Sequence, residues 1–273
     1  MRLRRPHWRV SVTTHRRHAP LSRWVSLALN PPYKIFARYC IEPTMPTSTP
    51  EPVIIAVDDA VSVSGLLHVP RDARACYVLA HGAGAGMAHP FMAAVATELG
   101  ERSIATLRYQ FPYMERKSRR PDPPKLAQAT VRAAVDMARR RLSQLPLFAG
   151  GKSFGGRMTS QAQALQPLPG VLGLIFLGFP LHPAGRPGHA RGQHLFDVEI
   201  PMLFLQGTRD QLASLKEIEP LCAALGPRAT LKLIADADHS FHVPARSGRK
   251  DSQVRADVLD ALATWIEGRL PSI

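Results

Sequence analysis

Disulfide chemistry has little to work with in this chain. Three cysteines, Cys40, Cys76 and Cys222, are spread over 273 residues. An odd, widely spaced set builds neither a disulfide framework nor a zinc cluster. Cys76 opens an apolar strand and Cys222 falls on the apolar face of a helix, so both read as small buried hydrophobes, and a reducing cytoplasm is the expected compartment. Long apolar runs are also lacking. None approaches the roughly 20 residues of a membrane span, so no membrane partner is expected. Acids are scarce as well, with 21 Asp and Glu against 35 Lys and Arg and a formal charge of +14. Such an excess suggests nucleic acid until it is divided along the chain. Residues 1–45 carry eight Arg and one Lys against Glu42 alone, and so hold eight of the fourteen net charges. The rest of the chain is too evenly charged to make nucleic acid an expected partner.

That basic segment has no compact apolar stretch followed by a small-residue cleavage site, which argues against a secretory signal. Its Arg-rich, acid-poor composition would suit a mitochondrial transit peptide in a eukaryote. The preferred reading of residues 1–50 is a disordered basic extension, with Met45 as an alternative start, and residues 51–273 are read as one folded domain. Nothing in the composition bears on oligomeric state.

Strands and helices alternate through that domain. Val53–Val57 and Val61–Val69 flank Asp58-Asp59 as an opening hairpin. Apolar strands are expected at 75–80, 103–108, 145–149, 171–178, 201–206 and 230–234. Between them lie amphipathic segments. Phe91, Val95 and Leu99 mark one, ended by Gly100. Leu126, Ala129, Ala133 and Met137 mark another, with Asp136 and Arg140 spaced as an i, i+4 pair. Arg157, Met158, Ala162 and Leu165 form a third. A Ser214/Glu217 capping box opens a fourth, with Ile218, Leu221, Cys222 and Leu225 on one face. Val254, Val258, Leu262 and Trp265 align on the last. Continuously apolar strands separated by amphipathic helices imply an α/β fold, with a mostly parallel sheet covered on both faces. Functional residues in such a sheet gather at the carboxyl ends of the strands.

One motif ties backbone shape to chemistry. Gly151-Lys152-Ser153-Phe154-Gly155 fits G-x-S-x-G, in which a sharp strand-to-helix turn exposes a serine hydroxyl. An apolar run precedes it and helical spacing follows it. A phosphate-binding P-loop would need a glycine where Pro146 stands, so that reading fails. Serine needs a base, and the base a partner that fixes its tautomer. In this architecture the chain order is serine, acid, histidine. Asp210, just past the 201–206 strand, and His239, just past the 230–234 strand, fit it. Asp236 and Asp238 are rival acids and His242 is the rival base. An oxyanion needs N–H donors, expected from Phe154, after the nucleophile, and from Ala83, with Gly82 or Gly84 as alternatives, in the loop His81-Gly82-Ala83-Gly84-Ala85-Gly86. His81, Gly82, Gly84 and Tyr113 are taken as the surrounding substrate-binding residues.

Four segments carry a resemblance: residues 81–87 (HGAGAGM), 108–113 (RYQFPY), 150–158 (GGKSFGGRM) and 238–241 (DHSF). The chain resembles the α/β-hydrolase superfamily in its dienelactone-hydrolase-like branch. Within it, the chain is similar to a family of small bacterial proteins that also includes testis-expressed protein 30 and subunit 3 of the animal NSL chromatin complex. The resemblance runs from about residue 50 to the end. It implies a serine hydrolase that needs no cofactor and acts on a small acyl substrate, or alternatively a non-catalytic scaffold of the same fold. Dienelactone hydrolases use cysteine where this chain has Ser153, so their substrate does not carry over.

Two further segments bear on access. The stretch 180–199 is too short for a lid domain, so the site is expected to be open. Residues 113–125, with Arg116, Lys117, Arg119 and Arg120, read either as an attractor for anionic substrates or as a solvated loop. His182, His189 and His194 match no common metal spacing, and no metal is expected.

Overall fold

A computed structural model describes residues 49–186 and 188–271. The expectations for residues 1–48, Cys40 included, lie outside the described residues. Within them the chain forms β1 (Glu51–Ala56), β2 (Ser62–His68), β3 (Ala75–Ala80), α1 (Pro90–Gly100), β4 (Ile104–Tyr109) and α2 (Pro112–Glu115). There follow α3 (Pro124–Arg141), β5 (Leu147–Lys152), α4 (Phe154–Leu165), β6 (Val171–Leu177) and β7 (Met202–Gly207), then α5 (Leu215–Leu225), β8 (Ala229–Ile234) and α6 (Asp251–Glu267). The eight strands make one sheet in the order β1-β2-β4-β3-β5-β6-β7-β8. The first two pairings, β1 with β2 and β2 with β4, are antiparallel, and the others are parallel. Among the described residues no helix is long and apolar enough to cross a membrane.

The central strands are apolar along their whole length because both faces are covered. β3, β4 and β7 are buried at every residue. One face packs against α1 and α6 through Val95, Leu99, Val258 and Leu262. The other packs against α3, α4 and α5 through Val131, Met158 and Ile218. Cys76 and Cys222 are buried within that second core. The Ser214/Glu217 capping box is present at the start of α5.

The α3 reading needs two corrections. Its buried residues are Ala127, Thr130, Val131, Ala134, Val135 and Ala138, one position on from the expected face, which is only half-buried. The charge pairing also differs: Asp136 meets Arg139 at 3.7 Å, not Arg140. In α4, Leu165 falls at the last helical position and is exposed to solvent.

The segment after β4 is more ordered than a basic loop would be. Tyr113 is buried in α2, and its N–H donates to Asp122 at 2.9 Å. The Asp122 carboxylate also accepts from Arg116 at 2.6 Å. It thus caps the first turn of α2 from nine residues away and anchors its own loop. Lys117, Arg119 and Arg120 stay exposed. Asp122→Ala is expected to cost about 2 kcal/mol, because it strands a buried N–H. A urea midpoint equal to wild type would refute that role for Asp122.

Candidate active site

Chain order brings the ends of β3, β5, β7 and β8 to one edge of the sheet. The tightest element there is the turn between β5 and α4. Ser153 sits at its apex with φ 50° and ψ −112°, a left-handed backbone that is strained for a residue with a side chain. Glycines make the turn feasible. A Cβ on Gly151 would overlap the Ala80 carbonyl oxygen, and one on Gly155 would stand 2.6 Å from the His81 oxygen. Both flanks therefore press against the end of β3. The Ser153 N–H donates to Leu177 O, which ties the apex to β6.

His239 arrives from the loop after β8, and Asp210 from the turn after β7. Those two strand ends approach so closely that a Cβ on Gly207 would overlap the Ala237 carbonyl oxygen. The His239 Nε2 lies 2.8 Å from the Ser153 hydroxyl, and its Nδ1 lies 2.7 Å from Asp210 Oδ2. The Asp210 side chain is wholly buried. It accepts from Gln206 Nε2 at 2.6 Å and from the Leu212 N–H at 2.8 Å. The first bond aims one carboxylate oxygen at the imidazole. The second fixes the other oxygen. Burial lowers the His239 pKa below the usual histidine value, against the opposing pull of the Asp210 hydrogen bond. The ring is therefore neutral near pH 7, with Nδ1–H donating to Asp210 and Nε2 free to accept from the serine hydroxyl.

The rival residues lie elsewhere. Asp238 accepts from the N–H groups of Ser240 and His242 and so caps its own turn. The Asp236 side chain is exposed. His242 is also exposed and pairs with Asp251 at 2.7 Å, which raises its pKa.

The glycine loop after β3 lies beside the serine. A Cβ on Gly82 would come within 3.9 Å of the Ser153 Cβ. The loop's N–H groups have distinct fates. That of Gly84 donates to the Tyr113 hydroxyl at 2.9 Å, and that of Ala85 to Gly82 O at 3.3 Å. For Ala83, an exposed residue, no acceptor appears among the described residues. Phe154 opens α4, where first-turn N–H groups have no acceptor inside the helix.

His81 and Tyr113 lie beneath this loop and have no solvent-exposed surface. The His81 Nε2 accepts from the Phe111 N–H at 3.1 Å, so its Nδ1–H donates to Gly82 O at 2.7 Å. Burial pushes the ring pKa down to about 4, and His81 serves as a neutral strut. The segment after β4 completes the support. Gln110 Oε1 accepts from the Met87 N–H at 2.8 Å, and Arg108 donates to Met87 O at 3.0 Å. Residues 108–113 thus form the bed on which the glycine loop rests. Neither the Gln110 nor the Gln206 contact was visible in the sequence, since an amide side chain carries no spacing signal.

Between β6 and β7 a short 3-10 turn, Gln193–Asp197, rests on α4 through a 2.8 Å contact between His194 and Ser160. Among the described residues no lid domain is present there. His182 contacts Glu217 at 3.0 Å, well apart from His194 in its contacts. Among the described residues no three ligating side chains group as a metal site would require. Arg157, one turn along α4 from Ser153, lies 5.9 Å from the Phe154 ring. Burial and neighbouring Arg191 lower its pKa to about 10, so this flank of the site is positive.

Solved structures of similar fold include a dienelactone hydrolase from Anabaena variabilis, at 22% identity and a TM-score of 0.67, covering 82% of this chain and 100% of that one. An α/β serine hydrolase without a lid from Xanthomonas campestris is 20% identical with a TM-score of 0.63, covering 85% and 99%. An esterase domain from Rhodothermus marinus is 16% identical with a TM-score of 0.60, covering 82% and 100%. At these identities the likeness is one of fold. A family model described as an alpha/beta hydrolase domain matches residues 73–267. That match takes in the larger part of the chain, including the glycine loop, the serine turn and the loops bearing Asp210 and His239, and the protein belongs to the α/β-hydrolase family.

Proposed function

We propose that residues 51–273 form a serine hydrolase domain that cleaves a carboxylic ester or thioester through an acyl-enzyme. The observation that carries this reading is one imidazole, His239, within hydrogen-bond reach of both Ser153 and Asp210 at 2.8 and 2.7 Å. In the first step the Ser153 oxygen attacks the acyl carbon while His239 Nε2 takes the hydroxyl proton. Asp210 keeps Nδ1–H in place and steadies the imidazolium. The N–H groups of Phe154 and Ala83 receive the oxyanion, since both remain without an acceptor while Gly84's is held by Tyr113. As the tetrahedral adduct collapses, His239 returns the proton to the departing alcohol or thiol. Water then repeats the cycle on the acyl-serine, with His239 again as base.

His81 and Tyr113 enter this scheme as supports of the oxyanion loop, and Gly82 as the residue that lets it approach the serine. The short connection described between β6 and β7 favours small or freely presented acyl groups. A fluorophosphonate probe is expected to label the wild-type protein at Ser153 and to leave Ser153→Ala unlabelled. A wild-type protein that resists the probe would reject this function in favour of a non-catalytic scaffold.

A further inference from the structure

Lys152 stands between Gly151 and Ser153, the one charged residue in the serine turn, and the reaction above assigns it nothing. Its stem lies along the glycine loop, with Cγ 3.4 Å from where a Gly82 Cβ would stand. Its amine lies at the end of β6, 3.1 Å from where a Gly178 Cβ would stand, and the His239 Cε1 comes within 3.4 Å of the same point. There Nζ donates to the His239 carbonyl oxygen at 2.5 Å. The Phe241 ring lies 5.7 Å away. One side chain from the serine strand therefore grips the backbone of the residue that must meet that serine.

The gripped loop is irregular. Residues 235–244 contain no strand or helix, and Asp236 and Phe241 are both left-handed, with φ of 59° and 61°. Asp238 braces the loop locally, through Ser240 and His242, and Thr208, Arg209 and Asp251 hold its two ends, while Lys152 takes the backbone of His239 itself.

We propose that Lys152 is a positioning residue whose ammonium clamps the His239 loop onto the serine turn. The proposal rests on the serine-hydrolase reading. Its electrostatics follow from the same placement. The charged groups acting on the amine are Asp210, after β7, and Asp238, in the His239 loop. Burial nonetheless takes the amine down to about 8. In return the ammonium helps to lower the pKa of His239. Activity should rise with pH as His239 loses its proton, below the usual histidine value. It should fall again near pH 8 as the clamp loses its charge.

The test compares wild type, Lys152→Met and Lys152→Arg on p-nitrophenyl acetate from acid to alkaline pH, with melting curves for each. Lys152→Met keeps the stem and removes the donor. It is expected to lower kcat by about ten- to a hundredfold, the scale of a misplaced reacting group, with little change in KM. Its acid limb should move to higher pH. Lys152→Arg, which keeps its charge, should recover most of kcat and lose the alkaline fall. A Met variant with kcat within about twofold of wild type and both limbs unmoved would overturn the proposal. Should the Met variant fail to fold, an alkaline fall in Lys152→Arg identical to wild type overturns it instead. Wild-type protein without turnover would count against the hydrolase reading alone. The clamp is then read by nuclear magnetic resonance titration of the His239 ring in Ser153→Ala with and without Lys152→Met. A higher pKa without the lysine supports it, and coincident curves refute it.

Discussion

Ser153→Ala is expected to lower ester turnover by roughly four orders of magnitude or more while leaving the melting temperature near that of wild type. The size of the loss follows from how the three residues act. Under the proposed function serine supplies the bond-forming oxygen, so its removal would leave His239 and Asp210 with nothing to activate, and only binding and oxyanion stabilisation would remain. The small effect on stability follows from the backbone. Alanine keeps the Cβ, so the strain at φ 50° is the same with either side chain. What disappears is one hydrogen bond to a partly exposed imidazole, worth about 1 kcal/mol. Rates on a p-nitrophenyl ester and a thermal melt by circular dichroism check both halves. Activity within tenfold of wild type would move the nucleophile to another residue.

Gly150→Ala is expected to be the most damaging methyl group in the protein. Gly150 has φ 152°, and a Cβ there would overlap the Ile175 carbonyl oxygen and stand 2.8 Å from its carbon. Those atoms belong to β6, the neighbour of β5 in the centre of the sheet. No side chain can swing aside to relieve the clash, so the strands must part. We expect a loss of about 4 kcal/mol or more, at the upper end for single substitutions, and a melting temperature lower by about 10 °C. Gly84→Ala is the informative comparison. Gly84 has φ 75° but nothing within 4 Å of its Cβ position, so it bears only the intrinsic left-handed cost of about 1–2 kcal/mol. Equal melting temperatures for the two variants would show that crowding between β5 and β6 is not what requires Gly150.

Much of this architecture could be read from the residues because several local signals agree. β3 is apolar at all six positions, and both faces of it are covered. The Ser214/Glu217 box fixes where α5 starts, and Ile218, Leu221, Cys222 and Leu225 are its four buried residues. α3 offered no such contrast. Alanines and other apolar residues lie on several of its faces, so more than one stripe fits the helical period, and tertiary packing chose the stripe through Val131 and Val135. Asp136 has two arginines within reach, Arg139 at i+3 and Arg140 at i+4. Arg141 pairs instead with Glu51 at 2.7 Å, a contact 90 residues distant that no local pattern encodes.

The candidate site divides along the same line. Ser153, Asp210 and His239 were legible because each follows a strand in the expected order. Their supports were not. Gln206, Gln110 and Lys152 act through side-chain hydrogen bonds to groups 4, 23 and 87 residues away, the last two across loops whose approach only the folded sheet creates. Tyr113 looked like a contact for substrate because it lies near the mouth in sequence. Folded, its hydroxyl instead fixes the glycine loop from below.

The turn that rests on α4 between β6 and β7 carries a kinetic implication. In enzymes that must swing a cap aside, that opening often limits turnover. Among the described residues no cap domain stands between β6 and β7, so no such opening step should limit turnover under the proposed function. The rate should then follow the acyl-transfer steps themselves, and an acyl chain displayed on the surface of another macromolecule should react as readily as a free ester.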